Sequence, residues 1–142
     1  MEMTFIGDCH GLFSRYEKII EKFPNSIQIG DMGVGFKKWC KLTETFIFTS
    51  NPPYDKMVKT NARFIRGNHD NPSVCAKHSQ WIADGHTETT ENGTKIMYIG
   101  GAWSIDHEYR TEDVSWWADE EIGRATRLNS SHCDLSRMPS SA

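Results

Sequence analysis

Met3-Thr4-Phe5-Ile6-Gly7-Asp8-Cys9-His10-Gly11 is the stretch on which the fold turns. Its first four residues form a short apolar run and read as a buried strand. The run stops at Gly7-Asp8, and from Gly11 to Phe23 the pattern changes. Leu12, Phe13, Tyr16, Ile19, Ile20 and Phe23 recur at helical spacing, with Arg15, Glu17, Lys18, Glu21 and Lys22 on the opposite face. Pro24-Asn25 stops the helix. Ser26 to Ile29 is a second short strand, ending at Gly30-Asp31. Strand, helix and strand in this order make a β-α-β unit. Such a unit predicts an α/β fold whose first strands are parallel.

The same theme returns further on. Ala62 to Arg66 reads as a third strand, and it ends at Gly67-Asn68-His69-Asp70. Asn71-Pro72 then caps a short helix through Lys77. Glu91-Asn92-Gly93 is a tight turn before a strand over Thr94 to Ile99, which Gly100-Gly101 follows. Residues 32–61 are less regular. Gly33 and Gly35 suggest a loop, Phe36 to Phe48 fits neither period, and Ser50-Asn51-Pro52-Pro53 is a turn. Trp103 to Trp117 reads as loop, and Ala118 to Ile122 as the start of an acidic helix. No internal repeat is visible.

Three strands therefore end in a glycine followed by polar residues able to hold a metal: Gly7-Asp8-Cys9-His10, Gly30-Asp31 and Gly67-Asn68-His69-Asp70. Ligands of open α/β sheets sit beyond the carboxyl ends of the strands, so these side chains would gather at one edge. The glycines allow a sharp turn there. Carboxylate and imidazole suit Mn²⁺, Fe²⁺ or Zn²⁺. Asp8 and His10, two residues apart, would turn toward one ion. Asp31 offers two oxygens and would bridge two ions, with Asn68 as a neutral ligand of the second. Two such ions suit phosphoryl displacement, because together they stabilise the attacking and the leaving oxygen and make a bridging hydroxide available near neutral pH. His69 would protonate the leaving alkoxide, Asp70 would orient its ring, and Arg66 would hold phosphate oxygens. The plainer roles are a helix cap for Asp70 and an ordinary ion pair for Arg66.

With these blocks in this order, the chain resembles the calcineurin-like metallophosphoesterase superfamily, whose pattern is D-x-H, then G-D, then G-N-H-D/E. The stretch from Gly100-Gly101-Ala102-Trp103-Ser104-Ile105-Asp106 to Ser115-Trp116-Trp117 resembles small bacterial and phage members. The resemblance covers residues 1–121. It implies an αββα sandwich with a dinuclear centre between two sheets. Asp8, His10 and Asp31 would hold the first metal, and Asp31 and Asn68 the second. His69 would be the catalytic acid, with Arg66 and Asn68 touching the phosphorylated substrate. The family also has two later histidine blocks, resembling T-H-x-x-P and G-H-x-H. Neither is present: Gly85-His86-Thr87-Glu88 imitates the second but comes early and has Glu in place of the second His. The rival is a non-catalytic metal-binding or partner-binding module, or an inactive truncated fragment of such an enzyme.

Composition narrows the setting. The chain has 142 residues, 37% hydrophobic and 25% charged, with a formal charge of −3. That supports one folded domain and gives no electrostatic reason to expect nucleic acid or an anionic membrane. No apolar run is long enough to span a bilayer, and the N-terminus lacks the features of a secretory signal. Cys9, Cys40, Cys75 and Cys133 form no CxxC pair, so the expectation is reduced thiols in a cytoplasm. Cys9 reads as structural, and His78, His86 and His107 as surface histidines. Trp103, Trp116 and Trp117 read as packing residues, with a lip over the substrate as the alternative. Asp106, Glu108 and Arg110 lie in a polar loop within reach of the site.

Residues 122–142 stand apart. They hold five serines and, after Ile122, no acid but Asp134. Reverse translation of Thr126 to His132 and of Ser136 to Ala142 resembles a widely used short-read library adapter. The expectation is a non-native, disordered tail following an incomplete domain over 1–121.

Overall fold

The computed structural model describes residues 3–49 and 51–120. Strand β1 is Phe5–Ile6, helix α1 Phe13–Lys22 and strand β2 Ile27–Ile29. These are the expected β-α-β unit, and β1 and β2 pair in parallel with Phe5 opposite Ile27. Helix α1 buries Tyr16 and Ile20, four residues apart on one face. Lys22 lies in its last turn, where a cation meets the negative end of the helix dipole. Asn25, at φ +60°, turns the chain back toward the sheet.

Strand β3 (Lys37–Cys40) and strand β4 (Thr45–Phe48) form an antiparallel hairpin, followed by helix α2 (Tyr54–Thr60). The hairpin resolves the stretch that fits neither period in the sequence. Trp39, Phe46 and Phe48 are each about half exposed, so no single buried face imposes an alternation. Strand β5 (Arg63–Ile65) joins β2 in parallel, giving a three-stranded sheet ordered β1-β2-β5. Helix α3 (Pro72–Cys75) is shorter than expected. Asn71 caps it by accepting from the backbone N–H of Ser73 at 3.2 Å. Strands β6 (Thr87–Thr89) and β7 (Lys95–Met97) form a second hairpin around the 91–93 turn. A single 3₁₀ turn spans His107–Tyr109.

The core sits under the parallel sheet. Ile6, Tyr16, Ile20, Met32, Val34, Met57, Ala62, Phe64 and Cys75 form one buried cluster, and Ile27, Ile82 and Tyr98 a smaller one. The first cluster packs α1 and α2 against β1 and β5. Lys56 of α2 pairs with Glu17 and Glu21 of α1. The expected acidic helix is not formed over 118–120, which make a turn. Its continuation and the 122–142 tail lie outside the described residues.

Candidate metal centre

Because β1, β2 and β5 are parallel neighbours, the segments Gly7-Asp8, Gly30-Asp31 and Gly67-Asn68 leave the sheet at the same edge. Backbone bonds stitch them together there. The N–H groups of Cys9 and His10 both donate to the Asp31 carbonyl, at 3.1 and 3.0 Å. The N–H of His69 donates to Asp31 Oδ1 at 3.0 Å. His10 and Asp31 both have left-handed backbones, at φ +44° and +54°. Such conformations in non-glycine residues cost about 1–3 kcal/mol each and persist only where surrounding bonds impose them. Gly67 is required by space alone: a Cβ on it would lie 2.0 Å from Asp31 Oδ1.

This backbone brings three of the expected side chains together. Asp8, His10 and Asp31 each offer a ligand atom, and the three atoms lie within 4.8 Å of one another. His10 Nε2 stands 3.4 Å from Asp8 Oδ2, and both side chains are more than half exposed. Two carboxylates and an imidazole, open to solvent on one side, fit a divalent ion such as Mn²⁺, Fe²⁺ or Zn²⁺.

Asn68 is oriented by a chain of bonds invisible in the sequence. Its amide donates to Ser104 Oγ at 3.0 Å, and that hydroxyl donates to Glu120 Oε2 at 2.9 Å. The Ser104 N–H donates to Glu120 Oε1 at 2.6 Å, and Glu120 is fully buried. With its nitrogen committed, Asn68 keeps its carbonyl oxygen as the acceptor available to an ion.

The His69 ring meets the His10 ring edge-on at 5.3 Å. Phe36 stacks on it at 6.1 Å, and Trp117, buried, packs edge-on against Phe36 at 5.2 Å. Of the three tryptophans, Trp117 is thus a packing residue, while Trp103 is 41% exposed. A cleft of about 400 Å³ lies beside these groups, lined by His10, Gly11, Gly33, Phe36, Thr49 and His69.

Asp70 and Arg66 have other partners than the expected ones. Asp70 does not orient the His69 ring, nor does it cap α3, where Asn71 is the cap. Its Oδ1 accepts from the N–H groups of Gly33 and Val34, at 2.7 and 2.8 Å. Its Oδ2 accepts from Met32 and Gly67, at 3.2 and 2.8 Å. Burial pushes its carboxyl up from the ordinary value, and the four N–H bonds pull it back. Arg66 is not free to hold phosphate. It is 4% exposed, its Nε donates to Asp84 at 2.6 Å, and its Nη1 donates to the carbonyls of Asp119 and Glu120 at 2.8 and 2.7 Å.

Cys9 is buried with its thiol toward the Gly7 carbonyl, and burial pushes the thiol pKa up to about 11, so it stays neutral. His86 is exposed, whereas His78 stacks on Tyr54 and His107 contacts the Ser104 carbonyl. Of the polar loop, Arg110 reaches the site: its guanidinium faces the His69 ring. No helix among the described residues is long and apolar enough to cross a membrane.

A family model described as calcineurin-like phosphoesterase matches residues 1–137. No curated protein and no solved structure matches the chain.

Proposed function

The chain belongs to the calcineurin-like phosphoesterase family, and on that premise we propose that it hydrolyses phosphate mono- or diesters at a dinuclear metal centre on the carboxyl edge of its parallel sheet. The observation that carries this reading is the convergence of Asp8, His10 and Asp31 from two separate strand ends. In this reading Asp8, His10 and Asp31 would hold the first ion, and Asp31 with the Asn68 carbonyl oxygen would hold the second. Bound there, divalent ions supply a nucleophile from water near neutral pH and neutralise phosphate oxygens.

The protein's own groups do the rest. The Asp31 carboxylate accepts the His69 N–H, so the shared ligand and the proton donor are held as one unit. His69 gives its proton to the leaving alkoxide oxygen. Phe36 covers one face of the His69 ring and Trp117 backs Phe36, which keeps water off that side. The finer expectations extend this reading: an αββα sandwich around the centre, Mn²⁺ as the working ion and a cytoplasmic setting.

The test is hydrolysis of p-nitrophenyl phosphate and of its bis-ester by the full chain with Mn²⁺. Turnover of either ester is expected, and Asp31→Asn should abolish it. Silence toward both esters, or near-wild-type activity in Asp31→Asn, refutes the assignment.

A further inference from the structure

The corrected placement of Arg66 leaves a phosphoesterase reading without the cation expected to grip the phosphoryl group, and a second arginine stands where one is needed. The geometry points to Arg110 as the residue that binds the substrate's phosphoryl oxygens, its guanidinium set against the His69 ring. This assignment rests on the phosphoesterase reading above.

Arg110 is held from behind. Its Nε and Nη2 both donate to Asp106 Oδ2, at 3.0 and 2.8 Å, and its Nη1 donates to the Ser115 carbonyl at 3.3 Å. The guanidinium in turn holds the Asp106 carboxyl below its ordinary range, first through that hydrogen bond. The side chain is 14% exposed, so its position is set by packing as well as by these bonds. A guanidinium has five N–H donors. Three are used this way. The remaining two, one on each terminal nitrogen, form the tip of the fork.

That tip faces the His69 ring. Nη1 is 3.3 Å from Nδ1 and Nη2 is 3.2 Å from Nε2. A neutral imidazole has one acceptor nitrogen and one N–H, and a protonated ring has no acceptor at all. At least one of the two tip donors therefore points at a group that cannot accept it. The ring cannot pair with both tip donors, and the fork is matched to two oxygens of a phosphate instead. The His69 ring is itself 5.3 Å from the His10 ring, and His10 belongs to the Asp8–His10–Asp31 cluster. A phosphoryl group held at that cluster is separated from the fork only by the His69 ring, and Asp106 and Ser115 already fix the direction of the fork. As the fork moves onto the anion, it leaves the His69 ring free to serve the leaving group.

Steady-state kinetics of wild type, Arg110→Lys and Arg110→Met with Mn²⁺ and p-nitrophenyl phosphate test the assignment. Losing charge-assisted bonds to phosphate should raise KM about tenfold to a hundredfold in Arg110→Met, with kcat changed by less than about threefold. Inhibition by inorganic phosphate should weaken by the same factor. Arg110→Lys keeps the charge but loses the fork, and should fall between the two. Unchanged KM and unchanged phosphate inhibition in both variants overturn the assignment. So does a fall in kcat alone, which would make Arg110 merely a support for His69. Should the wild type show no turnover, the phosphoesterase reading fails on its own account. Calorimetric titration of the full chain with inorganic phosphate then decides for Arg110: binding lost in Arg110→Met upholds it, and equal binding or none in both proteins overturns it.

Discussion

Asp70 shows how far a residue's role can depart from the block it sits in. Its neighbours Asn68 and His69 face the site, while its own carboxylate turns inward and gathers four backbone N–H groups from 32–34 and 67. It thereby ties the loop after β2 to the loop after β5, and so fixes Asp31 against His69. Asp70→Asn would set an amide NH₂ against two backbone N–H groups, donor against donor. The expected loss is about 3 kcal/mol of stability, measured by urea unfolding. A loss under about 1 kcal/mol would show that the clamp is not needed. The residue type was legible in the sequence but its destination was not, because three of its four partners lie 36–38 residues away. Arg66 is similar. It sits beside the site in sequence, yet packing turns it toward Asp84 and the carbonyls of Asp119 and Glu120.

Among the elements, the β-α-β unit was readable because each piece carries its own period and stop signal. The hairpins were harder, since their pairing depends on what lies beneath them. The β6–β7 hairpin is tied to the parallel sheet by Glu88, which accepts from Arg63 Nη1 and Nη2 at 2.9 and 3.0 Å and also from the Tyr98 hydroxyl. The Arg63 hydrogen bonds, then that of Tyr98, pull the Glu88 pKa down to about 2 from its ordinary 4.5. A carboxylate whose folded-state pKa is depressed stabilises the fold fully above its unfolded value. That contribution is lost as pH falls from about 4.5 through about 2. Glu88→Gln lacks it at every pH. The stability gap between wild type and Glu88→Gln should therefore be open at pH 6 and close on acidification, as read by urea unfolding across this range. A gap independent of pH would rule out the ion pair as its source.

For the molecule as a whole, ion binding at the candidate metal centre is coupled to the fold. Asp8, His10 and Asp31 converge only when β1 and β2 are paired, so an ion that binds them binds the native state alone. Mn²⁺ at a hundred times its dissociation constant should stabilise the chain by about 2.7 kcal/mol. The measurement is the melting temperature with and without Mn²⁺. A rise is expected in wild type and not in Asp31→Asn, and an equal rise in both would place the ion elsewhere. The sequence by itself determined the parallel β-α-β frame and the metal-competent residue types at three strand ends, because period, stop signals and side-chain chemistry are local properties of the chain. Only the tertiary structure decided which of those residues meet. It turned Asp70 and Arg66 into the scaffold, brought Ser104 and Glu120 behind Asn68, and set Arg110 on His69. Apart from the Asp70–Gly67 bond, those contacts join residues 16 to 54 positions apart, and side-chain direction at such separations is set by packing rather than by neighbours in sequence.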